Sequence, residues 1–138
     1  MPQGSVRELP AMLAQMAPRL DTVLYRFTLV TPDIAQQLLG GAVATFREAE
    51  GVTAIVPAAL AEELQQSGPD FARIILEVRS DLQGVGLTAA VTTALAQEGI
   101  ACNCVAAFHH DHLFVPADRR EEVLRTLENL SQGVGRVG

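Results

Sequence analysis

The second half of the chain constrains the fold most, because two helical patterns alternate there with three strand-like segments. Apolar residues three and four positions apart predict the helices, and short β-branched runs predict the strands. The strands are predicted at 73–78, 101–108 and 112–115, and the helices at 86–98 and 118–130. The order β-α-β-β-α predicts an α+β fold of the ferredoxin-like type, βαββαβ without its last strand. Its helices are expected to cover one face of an antiparallel sheet.

Local signals mark the ends of the two helices. Gly99 can adopt the left-handed backbone that commonly ends a helix. Asp118, with Glu121 three positions later, predicts an N-cap and a capping box at the start of the second helix. The glycine-rich tail at 133–138 is unsuited to form a strand. We therefore expect the missing strand to come from residues 22–30 or from a partner chain.

The first half of the chain repeats this organisation less regularly. It is predicted to contain a helix near 9–16, a strand at 22–30, a hairpin of 42–46 with 52–56, and a helix at 58–66. Pro69-Asp70 marks the boundary, so residues 1–70 and 71–138 are expected to form two modules. A boundary of two residues predicts that the modules are closely packed as one globule.

Aromatic residues are scarce, which predicts a core built mainly from aliphatic side chains. The chain has no Trp and one Tyr, while 49% of its residues are hydrophobic. An apolar fraction of this size is sufficient for a core and argues against intrinsic disorder. Four of the five phenylalanines are expected in that core: Phe46, Phe71, Phe108 and Phe114.

The charge balance argues against several classes of partner. The net charge is −6, and no basic run is longer than Arg119-Arg120. Nucleic acids and anionic lipids are bound through clustered basic side chains, so we expect neither as a partner. The N-terminal sequence lacks the pattern of a signal peptide, and no apolar stretch approaches the roughly 18–20 residues that span a bilayer. These features predict a cytoplasmic protein.

The segment Asp81-Leu82-Gln83-Gly84-Val85, followed by a helix that ends at Gly99-Ile100, resembles the signature of the ACT domain family. The loop of that signature usually reads Asp-x-Pro-Gly-aliphatic, and Gln83 stands where proline is usual. Residues 85–90 and 110–116 resemble a narrower group of small bacterial proteins with two ACT-like halves. This group is related to the paired ACT modules of arginine sensors in animals.

The specific resemblance covers about residues 71–131, and the first half matches more weakly through 44–48 and Glu50-Gly51. It implies a small regulatory or sensor-type protein, since ACT domains mostly bind amino acids at module interfaces and usually work in pairs. The alternative is a self-associating protein–protein interaction module with no small ligand. Neither reading includes catalysis or a cofactor.

A physical argument points to the same loop as a ligand site. Gly84 and Gly86 allow close approach of the backbone, and the free N–H groups of the next helix can bind a carboxylate. Asp81 could then accept the ammonium group of an amino acid. The predicted ligand-binding residues are Asp81, Leu82, Gly84, Val85, Gly86 and Asn103. In the alternative interpretation, Asp81 caps the helix or turn and the glycines only form the turn.

The His-rich segment at 109–112 is a weaker candidate for chemistry. On a strand, His110 and His112 share a face, so one hairpin offers two imidazoles where zinc prefers three or four ligands. Cys102 and Cys104 could approach from the neighbouring strand, yet no catalytic motif surrounds either cysteine. We therefore predict no metal site, no disulfide and no catalytic residue.

Self-association is predicted from the missing strand. An open sheet edge presents unpaired N–H and C=O groups, and a two-fold homodimer is the commonest way to cover such a surface. We expect an aliphatic interface with Leu87, Val91 or Phe108 near its centre.

Overall fold

The computed structural model of the protein describes residues 8–78 and 84–134. Its elements in chain order are α1 (Leu9–Ala14), β1 (Pro18–Val30), α2 (Ala35–Gly41), β2 (Ala44–Glu48), β3 (Gly51–Pro57), α3 (Ala58–Glu63), β4 (Phe71–Leu76), α4 (Leu87–Gln97), β5 (Asn103–Ala106), β6 (Asp111–Pro116), a 3₁₀ turn (Ala117–Arg119) and α5 (Arg120–Val134). The chain divides into two compact units. We call residues 22–71 the inserted unit, and the described residues before and after them the outer unit.

The inserted unit contains an antiparallel sheet in the order β2-β3-β1. The hairpin predicted around residue 50 is confirmed, with Ala44 opposite Ile55 and Glu48 opposite Gly51. α2 and α3 pack on one face of this sheet around a core of Leu38, Ala54, Val56 and Ala61. The segment between α3 and β4 is tied to β1 by Arg26, whose Nε donates to Asp70 Oδ1 at 2.7 Å.

The sequence pattern did not predict α2. Its N-cap position is Ile34, which makes no side-chain capping hydrogen bond, and Gly40-Gly41 lie at its end. Both features lower intrinsic helix stability. Complete burial of Leu38 against the sheet instead stabilises this helix, so packing decides its formation.

The outer unit contains strands in the order β1-β4-β6-β5, with β1 represented by its first residues. Antiparallel pairing at the start of β1 is marked by two backbone hydrogen bonds, from Glu77 N to Ala17 O and from Val78 N to Met16 O, each 3.4 Å. The strand that the C-terminal half lacks is thus supplied by the same chain. It begins at Pro18, four residues before the predicted start.

The two predicted helices of the outer unit are confirmed, and the expected hairpin joins β5 to β6. Gly99 ends α4 with a left-handed φ of 71°. The predicted N-cap role of Asp118 is wrong, because Asp118 lies inside the 3₁₀ turn that precedes α5. The N-cap of this turn is Pro116, which makes no side-chain capping hydrogen bond. None of the helices described here is both long and apolar enough to cross a membrane.

The core is mainly aliphatic, as predicted, but of the four phenylalanines expected in it two are exposed and Phe71 is half-buried. Phe114 is fully buried, whereas Phe46 is 71% exposed and Phe108 is 80% exposed, so the prediction that these two join the core is wrong. Leu87 and Val91 are buried within the outer unit. The prediction that they lie near the centre of a dimer interface is therefore wrong.

Candidate functional site

The predicted ligand site includes the start of α4, where the backbone requires a glycine. Gly86 occupies the N-cap position with φ of 103°, a conformation that residues with a Cβ rarely adopt. A Cβ atom at this position would lie 3.1 Å from Cδ2 of Leu9 in α1. The Gly86 carbonyl accepts a 2.8 Å hydrogen bond from Ala90 N and so closes the first turn of α4.

The N-cap residue of α4 does not cap the helix with a side chain. Gly86 has none to do so, and the first turn of α4 contains no acidic residue. The first N–H groups of a helix have no acceptor within the helix and carry a partial positive charge. In this eleven-residue helix they can donate hydrogen bonds to an anionic group such as a carboxylate.

A shallow, mainly apolar groove of about 480 Å³ includes Gly86 in its lining. Its walls are formed by small side chains of α4, together with Leu9 of α1 and Leu130 of α5. The α4 residues are Ala89, Ala90, Thr93 and Ala94, with Gln97 at the far end of the helix. The spacing of these small residues was readable from the sequence, but Leu9 and Leu130 were not linked to the site by any local signal.

The structure brings part of the predicted residue set together. Gly84, Val85 and Gly86 directly precede α4, and the Val85 side chain is 79% exposed. Asn103 is exposed on a different element of the outer unit, at the start of β5 opposite Phe114. Asp81 and Leu82 lie outside the described residues.

The two cysteines lie on and next to β5 as half-buried free thiols. Burial, with a smaller effect from Cys104, raises the pKa of Cys102 to about 11. Burial and the nearby Asp111 carboxylate also raise the pKa of Cys104, although a hydrogen bond with Thr88 of α4 opposes this. Thiols in this state are protonated at neutral pH, which suits packing and not nucleophilic attack.

The histidines of β6 and the preceding turn lie near charged residues of the outer unit. His110 Nε2 is 3.9 Å from Glu77 Oε2, and the buried Nδ1 of His112 has no hydrogen-bond partner. Burial, followed by the positive charge of Arg73, lowers the pKa of His112. Within residues 8–78 and 84–134, no group of three or more His, Cys, Asp or Glu side chains is arranged to hold a metal ion.

Two family models of the ACT domain match the chain, one over residues 4–72 and the other over residues 67–129. The chain therefore belongs to the ACT domain family. ACT domains are typically regulatory modules that bind small ligands. Neither match is to a catalytic domain.

Solved structures with the same fold include one similar sequence and several distant ones. A protein of unknown function from Vibrio cholerae, described as a possible transport protein, is 35% identical; the match covers 88% of this chain and 94% of that one, with a TM-score of 0.77. The ligand-free regulatory subunit of aspartate kinase from Thermus thermophilus is 17% identical over 85% and 97% of the two chains, with a TM-score of 0.57.

Aspartokinase III of E. coli, in complex with aspartate and ADP, is 15% identical, with a TM-score of 0.60. The match covers 83% of this chain and 33% of the kinase. At these identities the two kinase proteins establish the fold alone. They agree with a ferredoxin-like, antiparallel α+β architecture. No curated protein matches the chain.

Proposed function

We propose that this protein is a small, non-catalytic regulatory sensor that binds an amino acid, or a similar small ligand, at the start of α4. The observation that carries the proposal is the N-terminus of α4, whose N-cap residue is the left-handed Gly86 without a capping side chain, and which adjoins an apolar groove. The ligand carboxylate would accept hydrogen bonds from the backbone amides of residues 84–87. Asp81 would accept a hydrogen bond from its ammonium group.

The groove supports a preference for ligands with an apolar side chain. Ligand sites are commonly apolar clefts with a few polar groups that fix orientation. Here the helix amides would orient the carboxylate, while Ala90, Ala94 and Leu130 would contact the rest of the ligand. Leu82, Val85 and Asn103 complete the proposed site and would contribute to ligand selection.

The regulatory role draws support from the relatives, while three other parts of the proposal are predictions from the sequence. Aspartate is bound in the kinase from E. coli, and the Thermus thermophilus neighbour is a regulatory subunit, which agrees with a regulatory role for this fold. Paired modules at 1–70 and 71–138, a cytoplasmic location and the absence of a nucleic-acid partner remain predictions from the sequence.

The second candidate function is a self-associating interaction module, and we propose a homodimer in either case. The missing strand no longer supports this proposal, because β1 supplies it. The support comes instead from large apolar side chains at the surface of the inserted unit, of which Phe46 is the most exposed at 71%. Exposed apolar residues that cluster commonly mark interaction surfaces.

A thermal-shift screen against the common amino acids tests the ligand proposal. A ligand at a hundred times its dissociation constant should stabilise the protein by about 2.7 kcal/mol, which is readily measured. Asp81→Asn should abolish the shift, whereas Asp118→Asn, the same change in the exposed 3₁₀ turn, should retain it. If no amino acid stabilises the protein, or if Asp81→Asn responds like wild type, the proposed site is wrong.

A further inference from the structure

One face of the inserted unit's sheet carries no helix of that unit. α2 and α3 pack against Ala54 and Val56 of β3, so the intervening Ile55 lies on the opposite face. Residues directly opposite each other on neighbouring strands share a face. The strand register therefore places two rows on this helix-free face, Phe27–Ile55–Ala44 and Leu29–Thr53–Phe46.

These two rows form an exposed apolar surface, which we call the Phe46 face. Phe46 is the most exposed of its members, while Leu29 is 57% and Phe27 36% exposed. Ile55 beneath them is nearly inaccessible, and Phe27 is supported by an edge-on contact with Phe71 at a ring distance of 5.2 Å. The face is thus a packed apolar layer whose outer surface remains exposed to solvent.

The size of this surface is that of an interaction site. Since a buried aromatic side chain covers about 150–250 Å², the three exposed side chains present on the order of 350 Å² of apolar area. The largest apolar patch of a typical monomer is about 300–600 Å² and often functional. A standard interface buries about 800 Å² per partner, a little over half of it apolar. The Phe46 face can therefore supply most of the apolar part of one interface.

We propose that the Phe46 face docks on the same face of a second copy of this chain. A two-fold contact needs only one self-complementary surface. Two twisted sheets can pack face to face about 10 Å apart through the side chains of their facing surfaces. Each copy carries a net charge of −6, so like charges oppose close approach of two copies, and a contact between copies needs an uncharged surface. No member of the two rows is charged. The exposed Glu48 borders the rows at the end of β2, where its Oε1 accepts a 3.2 Å hydrogen bond from Thr53 Oγ1.

The inference names the surface for the homodimer proposed above, and it rests on that proposal. The experiment compares two matched variants by sedimentation velocity and light scattering between micromolar and hundred-micromolar concentrations. Phe46→Glu and Phe108→Glu introduce the same charge at side chains of similar exposure, one in the inserted unit and one in the outer unit. Wild type should have twice the mass of one chain.

Phe46→Glu should weaken the dimer at least about a hundredfold, because each dimer loses the contact twice and buries two carboxylates. The Phe108→Glu dimer should have the same dissociation constant as the wild-type dimer. Circular dichroism checks that each variant is folded, and Phe46→Ser replaces Phe46→Glu if the latter is not. A monomeric wild type overturns both self-association and the surface. If the dimer persists after substitution of Phe46 and in Leu29→Glu, self-association stands but the Phe46 face is not the dimer interface. The same conclusion follows if Phe108→Glu alone disrupts the dimer.

Discussion

Replacing Gly86 with alanine adds one carbon atom where the start of α4 lies close to α1. Two costs follow from the structure. A residue with a Cβ held at φ of 103° carries about 1–3 kcal/mol of backbone strain. The new atom would also lie 3.1 Å from the tip of the Leu9 side chain, which must move by a few tenths of an ångström. We expect Gly86→Ala to lower the free energy of unfolding by about 2 kcal/mol.

The matched control is Gly99→Ala at the other end of α4. Gly99 is also left-handed, with φ of 71°, but no atom of the residues described lies within 4 Å of a Cβ built there. Its cost should be the strain of an ordinary left-handed residue, about 1 kcal/mol. The difference between the two variants therefore measures the less favourable φ of Gly86 together with the contact with Leu9.

Urea unfolding followed by circular dichroism gives both values, since the midpoint shifts with stability while the slope stays constant. Adding Leu9→Ala to Gly86→Ala should recover the contact part of the cost, which a double-mutant cycle isolates. If Gly86→Ala costs less than Gly99→Ala, the proposed constraint at the start of α4 is wrong. Because Gly86 affects stability in this way, Asp81 is the cleaner position for testing ligand binding.

Two predictions concern titratable groups of the outer unit. With its pKa raised from 9.0 to about 11, Cys102 should have about a hundredfold less thiolate at pH 8 than an unperturbed thiol. Because a more basic thiolate is the stronger nucleophile, its reaction with iodoacetamide should be about tenfold slower. Mass spectrometry of the Cys104→Ser variant measures this, and reaction at the rate of a free thiol would contradict the burial argument. The pKa of His112 is lowered in the folded protein, so the unfolded chain binds a proton more readily. The stability that neutral His112 contributes is therefore present above pH 6.5 and is lost as the pH falls below that value. The urea midpoint should therefore decrease between pH 7.5 and pH 5, and an identical decrease in His112→Asn would rule this residue out as its cause.

The elements that the sequence predicts well are those defined by local signals. α4 has its apolar stripe and a left-handed glycine at its end, and both can be read within fifteen residues. The early start of β1 depends on distant residues instead. Asp21 is paired with Arg73 at 2.8 Å, and no local pattern indicates that partner fifty-two residues away. Polar residues within a strand weaken an alternation pattern, so the prediction started at residue 22.

The errors at the two exposed phenylalanines have a related origin. Residue type indicates that a side chain prefers burial, but it does not say whether another element covers it. Phe46 lies on the face of the sheet that α2 and α3 leave free, and this could be recognised only from the strand register. The groove beside α4 was missed for a similar reason, since Leu9 and Leu130 are separated by most of the chain.

Ligand binding at the start of α4 is tested most directly by the backbone amide NMR spectrum of ¹⁵N-labelled protein. Titration with the amino acid that gives the largest thermal shift should move the signals of Gly84, Val85 and Gly86 most. The signal of Gly68, which lies in the inserted unit, should stay unchanged. Signals near α4 that do not move while others do would contradict the proposed site, and a spectrum unchanged by every amino acid would contradict the sensor function.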